Sequence, residues 1–238
     1  MYFVGMQVSS LLDFFTALVF PHTCAGCGSN QLLNKNGICT ACLWSLPLTG
    51  FLQIPDNDTD QIFKGRIRVE YSAAATYFLP QSTVQSILHA LKYSYRKELG
   101  LQLGKWMGSQ LADCTWANKI DCILPMPLHP LREAVRGYNQ ADLLSEGIHQ
   151  QTGLPVEFNL LQRNTPTRSQ TTQHRTERWQ NMKDVFQVRQ ASKLENKHVL
   201  LIDDVVTTGA TLEAMGQKIL AIPGTRLSIY CFAYTLPH

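Results

Sequence analysis

The sequence contains no long apolar run. A membrane-spanning helix needs roughly 20 apolar residues, and the longest apolar stretch, residues 8–20, is interrupted by Asp13. That stretch also lacks the basic start of a signal peptide. Charge is sparse as well, since 16% of the residues are charged and the net charge is only +3. A balance this mild does not by itself indicate a nucleic-acid binder, and we expect a cytoplasmic protein without membrane insertion.

Cysteine is too scarce and too unevenly placed for a disulfide scaffold, with seven in 238 residues. Four of them form two pairs of the pattern CxxC, Cys24 with Cys27 and Cys39 with Cys42. Each pair places two sulfurs on one tight turn, and two such turns can converge on a tetrahedral zinc ion. We favour a structural zinc bound by these four cysteines. Two disulfides are an alternative, and so is a redox pair, although a redox pair calls for a thioredoxin-like context.

Apolar runs and helical periodicity alternate along the chain from residue 69 onward. Hydrophobic residues make up 45% of the sequence, enough to bury an ordinary core. Short strands that alternate with helices predict an α/β fold, a mostly parallel sheet with helices on both faces. The predicted strands are residues 69–77, 120–124, 155–160, 199–202 and 227–234, and the predicted helices are residues 82–109, 138–151 and 211–221. We expect the first of these helices to break near Gly100 and Gly104.

The chain is predicted to have three parts. Residues 1–50 form an N-terminal amphipathic helix, marked by apolar residues at helical spacing between Leu11 and Val19, and the small zinc-ribbon unit. Residues 51–68 are polar and rich in turn formers, which is typical of a linker. Residues 69–238 form the α/β domain.

The most informative run is residues 199–211, VLLIDDVVTTGAT. A buried strand ends in the adjacent carboxylates of Asp203 and Asp204, and a loop of threonines and glycine leads into a helix. Amides at a helix N-terminus can hold a phosphate dianion, and Gly209 allows close approach of the backbone. Paired carboxylates can bond vicinal ribose hydroxyls or hold a hydrated divalent cation. An ordinary capped turn would explain the threonines but not two adjacent acids.

This run resembles the phosphoribosyl pyrophosphate (PRPP) signature of the type I phosphoribosyltransferase family. The resemblance implies a phosphoribosyltransferase-like domain that binds PRPP with Mg²⁺ and uses Asp203 and Asp204 as catalytic groups on the ribose. The residues it implies for PRPP binding are Asp203, Asp204, Thr207, Thr208, Gly209, Ala210 and Thr211. The branch that salvages 6-oxopurines has an aspartate at the position of Thr207. Threonine cannot take a proton at neutral pH, so that branch is disfavoured.

Further motifs resemble the ComF family (ComFC and GntX-like proteins), which is associated with DNA uptake in competent bacteria. They are Leu91-Lys92-Tyr93, residues 125–132 (PMPLHPLR), residues 136–140 (RGYNQ) and a stretch that begins at Arg163. A four-cysteine unit ahead of a PRPP loop is that family's layout. The resemblance implies single-stranded DNA as a second ligand, and a competence helicase or DNA-translocation channel as the protein partner.

A basic segment extends from Arg163 to Lys193, with seven basic residues against two acidic ones. We expect a mobile loop, because phosphoribosyltransferases close such a loop over pyrophosphate; a solvated basic helix face is the alternative. The residues predicted for pyrophosphate and the basic loop are Lys92, Met126, Pro127, Arg163, Arg175 and Arg178. The DNA-binding candidates are Arg132, Arg136, Tyr138, Arg175 and Arg178. Tyr138 is equally compatible with a core position, and Asn139 is expected to cap a helix.

Two functions follow from these motifs. In the first, the protein binds PRPP and single-stranded DNA during competence-associated DNA uptake. In the second, it is an active phosphoribosyltransferase, similar to an amidophosphoribosyltransferase, that transfers ribose 5-phosphate to an unidentified amine or base. The ComF resemblance favours the first function, and the sequence shows no acceptor pocket that would support the second.

Overall fold

The structure is a computed structural model that describes residues 23–30, 37–94, 96–164 and 185–236. Its helices are α1 (Thr40–Trp44), α2 (Asp58–Phe63), α3 (Thr83–Tyr93), α4 (Lys97–Ala112), α5 (Pro130–Arg136), α6 (Gln140–Thr152) and α7 (Ala210–Leu220). Its strands are β1 (Tyr71–Phe78), β2 (Cys122–Pro125), β3 (Leu161–Arg163), β4 (Phe186–Val188), β5 (His198–Val206) and β6 (Arg226–Thr235). The predicted N-terminal helix and the basic residues Arg175 and Arg178 lie outside the described residues.

A parallel sheet in the order β1-β6-β5-β2 forms the centre of the described part of the chain. Its strands are apolar and buried along most of their length, because helices cover both faces of the sheet. On one face Trp106 of α4 packs against Phe232 of β6, with ring centroids 6.2 Å apart. On the other face Gly216 of α7 lies against Leu227 of the same strand. Residues 227 and 232 point to opposite faces because strand side chains alternate. The predicted α/β architecture is confirmed.

Helix α4, the longest one in the part of the chain that the structure describes, passes through the position where a break was predicted. Gly100 and Gly104 lie inside it, and the chain leaves the helical path earlier, after Tyr93. A Cβ at Gly104 would stand 2.3 Å from the carbonyl oxygen of Leu144 on α6. These glycines therefore permit two helices to pack closely and do not end one, which only the tertiary contact reveals.

The predicted strand at residues 155–160 was wrong in extent. Val156 forms an isolated parallel bridge with Ile123. The chain then turns through Asn159 at a positive φ of 64° and enters β3, which pairs antiparallel with β4 outside the main sheet. The left-handed turn redirects the chain before a full strand can form. Arg163, at the end of β3, is thereby carried toward the edge of the main sheet.

Residues 51–68, predicted as a linker, fold onto the sheet. Phe51, Leu52 and Phe63 are buried there. Asn57 caps α2, and its amide also donates to the carbonyl oxygen of Ser72 on β1 at 3.0 Å. The polar residues that indicated a linker are thus caps and hydrogen-bond partners. None of the helices among the described residues has both the length and the apolar character of a membrane span.

Candidate functional site

The predicted phosphate loop lies between β5 and α7. Asp203 and Asp204 are still inside β5, near its C-terminal end, and Gly209 begins α7 with a φ of +71°. Thr207 and Thr208 are exposed. Gly209, the N-cap residue of α7, has no side chain to cap the first turn, and the Ala210 amide makes only a long hydrogen bond of 3.5 Å to Thr208 Oγ1. The first-turn amides therefore present the positive end of the helix dipole to the loop. This arrangement suits a bound phosphate.

Arg66 holds the phosphate loop from the segment that precedes β1. Its guanidinium Nη1 donates to the carbonyl oxygen of Thr208 at 2.8 Å and to that of Ile62 at 3.0 Å. Its Nη2 pairs with Glu213 on the first turn of α7. Nothing in the sequence near the loop indicated this residue, because 142 positions separate Arg66 from Thr208. The fold alone makes it a positioning residue for the loop.

Gly209 is required by its neighbours as well as by its backbone angle. A Cβ there would stand 2.4 Å from Cγ2 of Ile62 and 2.9 Å from Cε1 of Phe63. The sequence argument assigned this glycine to close phosphate approach. The structure adds that α2 fills the space on the side of the loop where a side chain would project.

The two carboxylates have different surroundings. Lys92, at the end of α3, places its Nζ 2.8 Å from Oδ2 of Asp204. Asp203 is half-buried, and desolvation, followed by the charge of Asp204, raises its pKa to about 8. The Asp204 amide, which donates to Oδ1 of Asp203 at 2.8 Å, opposes that rise together with Lys92. The charged form of this carboxylate pair is therefore stabilised by nearby cations or hydrogen-bond donors.

A cleft of about 170 Å³ opens above this pair. The cleft brings together residues that are far apart in the sequence. The predicted site residues that line it are Lys92, Met126, Pro127, Arg132, Arg136, Arg163, Asp203, Asp204 and Thr211. Thr207, Thr208, Gly209 and Ala210 form the loop that connects Asp204 to Thr211 and are not among the lining residues.

The turn at residues 125–127 forms a rigid wall of the cleft. The Met126 amide donates to the carbonyl oxygen of Ile202 at 2.8 Å, and the Asn139 side chain donates to the carbonyl oxygen of Met126 at 3.0 Å. Asn139 also accepts from the Ala141 amide, so the predicted capping role is confirmed. Tyr138, proposed as a DNA-binding residue, is buried, and its hydroxyl donates to the carbonyl oxygen of Leu91. This favours the core alternative and corrects the assignment to DNA.

Arg163 enters the cleft from β3. Its guanidinium lies 5.3 Å from the ring centroid of Phe186, and its Nε is buried without a hydrogen-bond partner among the described residues. Burial and the neighbouring charge of Arg132 lower its pKa, and Asp203 partly offsets this. A buried donor without an acceptor is costly. An anionic ligand in the cleft would satisfy it.

The four predicted zinc ligands meet at one point. Their Sγ atoms all lie within 4.8 Å of one another, and Cys27 Sγ is 3.9 Å from Cys39 Sγ. Zn–S bonds of about 2.3 Å in a tetrahedron put sulfurs about 3.8 Å apart, so this spacing fits zinc. Cys39 caps α1, and the amide of Ala25 donates to the Gly37 carbonyl oxygen, which joins the two turns.

Backbone amides point at the cluster sulfurs. Cys24 Sγ accepts from the amides of Gly26 at 3.3 Å and Cys39 at 3.2 Å. Burial raises the pKa of Cys24, but such amide donors outweigh it and the net shift is downward. Hydrogen bonding with the side chain and the backbone of Ser29 lowers the pKa of Cys27 to about 6. Donors directed at the sulfurs of Cys24 and Cys27 favour the thiolate form that a metal requires, whereas burial raises the pKa of Cys42. The spacing of the four sulfurs is what fits a zinc ion.

Comparison with known proteins agrees with this geometry. A family model described as "Phosphoribosyl transferase domain" matches residues 143–235. Competence protein F of Haemophilus influenzae is 24% identical over 225 residues, 90% of this chain and 97% of that protein. Competence protein ComFC of Bacillus subtilis is 35% identical over 105 residues, 44% of this chain and 40% of that protein. The chain is similar to these competence proteins over the lengths given.

Two further matches complete the comparison. DNA utilization protein YhgH of Escherichia coli O157:H7 is 28% identical over 156 residues, 63% of this chain and 66% of that protein. A solved structure described as HGPRT-ase from Leishmania tarentolae in complex with GMP matches with 15% identity and a TM-score of 0.29, covering 62% of this chain and 79% of that chain. The predicted ComF resemblance and the phosphoribosyl transferase domain are confirmed. Residues 143–235, which match the phosphoribosyl transferase family model, include the acid pair and the phosphate loop.

Proposed function

We propose that this protein binds PRPP with Mg²⁺ in the cleft above Asp203 and Asp204, binds single-stranded DNA beside it, and acts in competence-associated DNA uptake. One observation carries the proposal: a single cleft unites the acid pair, Thr211 at the end of the phosphate loop and four cations. The names of the relatives, competence and DNA utilization proteins, support the physiological setting. By the same resemblance, we place it in the cytoplasm with a competence helicase or DNA-translocation channel as partner.

Each part of PRPP has a matching group in the cleft or in the loop that adjoins it. The amides and hydroxyls of residues 207–211 would hold the 5′-phosphate, and Asp203 and Asp204 would accept hydrogen bonds from the ribose hydroxyls. Lys92 would face the pyrophosphate, together with the Nε of Arg163, which has no hydrogen-bond partner within the described ranges. The acid pair would also hold the hydrated Mg²⁺, which neutralises part of the pyrophosphate charge when bound.

Calorimetric titration with PRPP and Mg²⁺ tests the first half of the proposal. We expect saturable binding by the wild type and a loss of at least about tenfold in Asp204→Asn, because the carboxylate is replaced by a neutral amide. Asp113→Asn is the matched control, since Asp113 is an exposed carboxylate on the surface. Absence of PRPP binding by the wild type would overturn the proposal.

The same titration at saturating oligo-dT tests the second half. Arg132 and Arg136 line the cleft, and cations of this kind bind strand phosphates with an affinity that falls as salt rises. We expect oligo-dT to weaken PRPP binding because both ligands use these cations, and coupling of this kind is reciprocal. PRPP affinity that does not change with oligo-dT would show separate sites.

A second candidate function is transfer of ribose 5-phosphate, favoured by the complete acid pair and phosphate loop in a phosphoribosyl transferase domain. In that case pyrophosphate release would depend on an acceptor amine or base. Both Asp203→Asn and Asp204→Asn would abolish release. A screen of acceptors that yields no pyrophosphate above the level of these variants would exclude this function.

A further inference from the structure

A second pocket, of about 550 Å³, adjoins the PRPP cleft. Three cations, Lys92, Arg132 and Arg136, line both cavities and so form a wall between them. The rest of the second pocket is lined by Tyr93, Leu131 and Val135. One wall is therefore cationic and the other is aromatic and aliphatic.

The apolar wall of this pocket is unusually exposed. Tyr93, Leu131 and Val135 have 61%, 67% and 73% of their surface accessible. Leu131 and Val135 are four residues apart on α5, so they share one helix face, and α5 buries none of its residues. Adjacent apolar side chains that contribute little to the core are a common mark of a binding surface.

Tyr93 is held in position for a ligand. Its ring packs against His89, with centroids 4.8 Å apart, and the guanidinium of Arg136 lies 5.5 Å from its centroid. Arg136 is itself oriented by a hydrogen bond from Nη1 to the side-chain oxygen of Gln140 at 2.8 Å. An aromatic ring with a fixed neighbouring cation is a suitable platform for a stacked base.

We propose that this second pocket binds a base of single-stranded DNA, with the base on Tyr93 and the adjoining phosphates on Lys92, Arg132 and Arg136. The proposal rests on the DNA binding proposed above and specifies where a base is held. A nucleotide unit has one anionic and one aromatic part, and the two walls complement these parts in charge and polarity. A neutral apolar ligand would offer no anion to the cationic wall.

The cations shared by the two cavities have a specific consequence for ligand binding. Lys92 is paired with Asp204 at 2.8 Å and also lines the second pocket. A strand phosphate on Lys92 would draw it away from the acid pair and from PRPP pyrophosphate. The two ligands would then compete through the cations and not through Tyr93.

Fluorescence anisotropy with labelled oligo-dT, and with an abasic strand of the same length, tests the proposal. We expect Tyr93→Ala to weaken oligo-dT binding by about tenfold, a typical loss for one stacked base. The dependence of affinity on salt should keep its slope, because no phosphate contact is removed. The abasic strand should bind both proteins alike, and PRPP affinity should be unchanged.

Two control variants separate stacking from general surface effects. Tyr93→Phe keeps the ring and should retain wild-type affinity. Trp44→Ala removes an aromatic side chain that is 84% exposed on α1, near the four-cysteine unit, and should also bind like the wild type. Far-ultraviolet circular dichroism of each variant would establish that it is folded.

The outcomes distinguish this inference from the proposed function. A wild type that does not bind oligo-dT would overturn both. If oligo-dT binds but Tyr93→Ala behaves like Trp44→Ala, the base pocket alone is overturned and DNA binding stands. Equal loss on the abasic strand would show that Tyr93 acts on the fold or on phosphates, which also overturns it.

Discussion

Asp142 illustrates how surroundings set the behaviour of a single residue. It is half-buried in the first turn of α6, and desolvation, followed by the charge of Glu133, raises its pKa to about 6. In the unfolded chain an aspartate has a pKa of about 3.9. The folded state therefore holds a proton that the unfolded state has already lost, and stability falls as pH rises from about 4 to about 6.

We expect Asp142→Asn to remove this dependence and to be more stable than the wild type above about pH 6. The amide oxygen can still accept from the Asn139 side chain, which lies 2.9 Å from Asp142 Oδ1. Urea unfolding midpoints across this pH range measure the effect, with Asp113→Asn as an exposed control. A wild type and an Asp142→Asn variant with parallel pH profiles would contradict the assignment.

Arg66 yields a second prediction at the residue scale. Arg66→Ala removes the hydrogen bond to the Thr208 carbonyl oxygen and the pair with Glu213. We expect PRPP affinity to fall several-fold, because the loop amides lose their fixed geometry. Arg68→Ala is the matched control, since Arg68 is largely exposed and pairs only with Glu70 among the described residues. Equal PRPP affinity of the two variants, measured by calorimetry, would refute the positioning role.

The loop that joins β5 to α7 is best tested at the scale of an element. Gly209→Ala combines a left-handed φ with a clash against Ile62, whereas Gly153→Ala has a similar φ of +75° and no atom within 4 Å. The control should cost about 1 kcal/mol for the backbone angle alone. Gly209→Ala should cost more and should also weaken PRPP binding. Chemical denaturation and calorimetry measure the two effects, and matching results for both variants would remove the steric argument.

At the scale of the whole molecule, the four-cysteine unit is attached to the α/β domain by specific contacts. Arg96, at the start of α4, donates to the carbonyl oxygen of Thr23 at 2.6 Å, and Leu48 forms an antiparallel bridge with Thr76 of β1. The residues that line the cleft come from elsewhere in the chain. Folding of the unit and ligand binding in the cleft therefore use different residues.

We predict one zinc per chain, bound by the four cysteines. Chelation should lower the thermal unfolding midpoint, because binding energy of a structural zinc contributes to folding. PRPP affinity should remain largely intact, and adding zinc back should restore the midpoint. Elemental analysis, thermal unfolding and calorimetry check these points. Loss of PRPP affinity on chelation would contradict the independence of the two parts.

Local patterns in the sequence were sufficient to predict the cysteine cluster, the strand–loop–helix with its acid pair, and the α/β class. In each case the necessary residues are close in the chain, so spacing alone brings them together: Cys24 with Cys27, and Asp203 with Thr211 eight positions later. The roles assigned to these residues in ligand binding stay predictions.

Contacts between distant segments were decided only by the tertiary structure. The packing role of Gly104, the hold of Arg66 on the phosphate loop and the burial of Tyr138 each depend on a partner far away in the chain. The wall of cations shared by two pockets has the same origin, since α3 supplies Lys92 and α5 supplies Arg132 and Arg136. The physical reason is that periodicity and motif spacing report which face of an element is buried, whereas packing determines what that face meets.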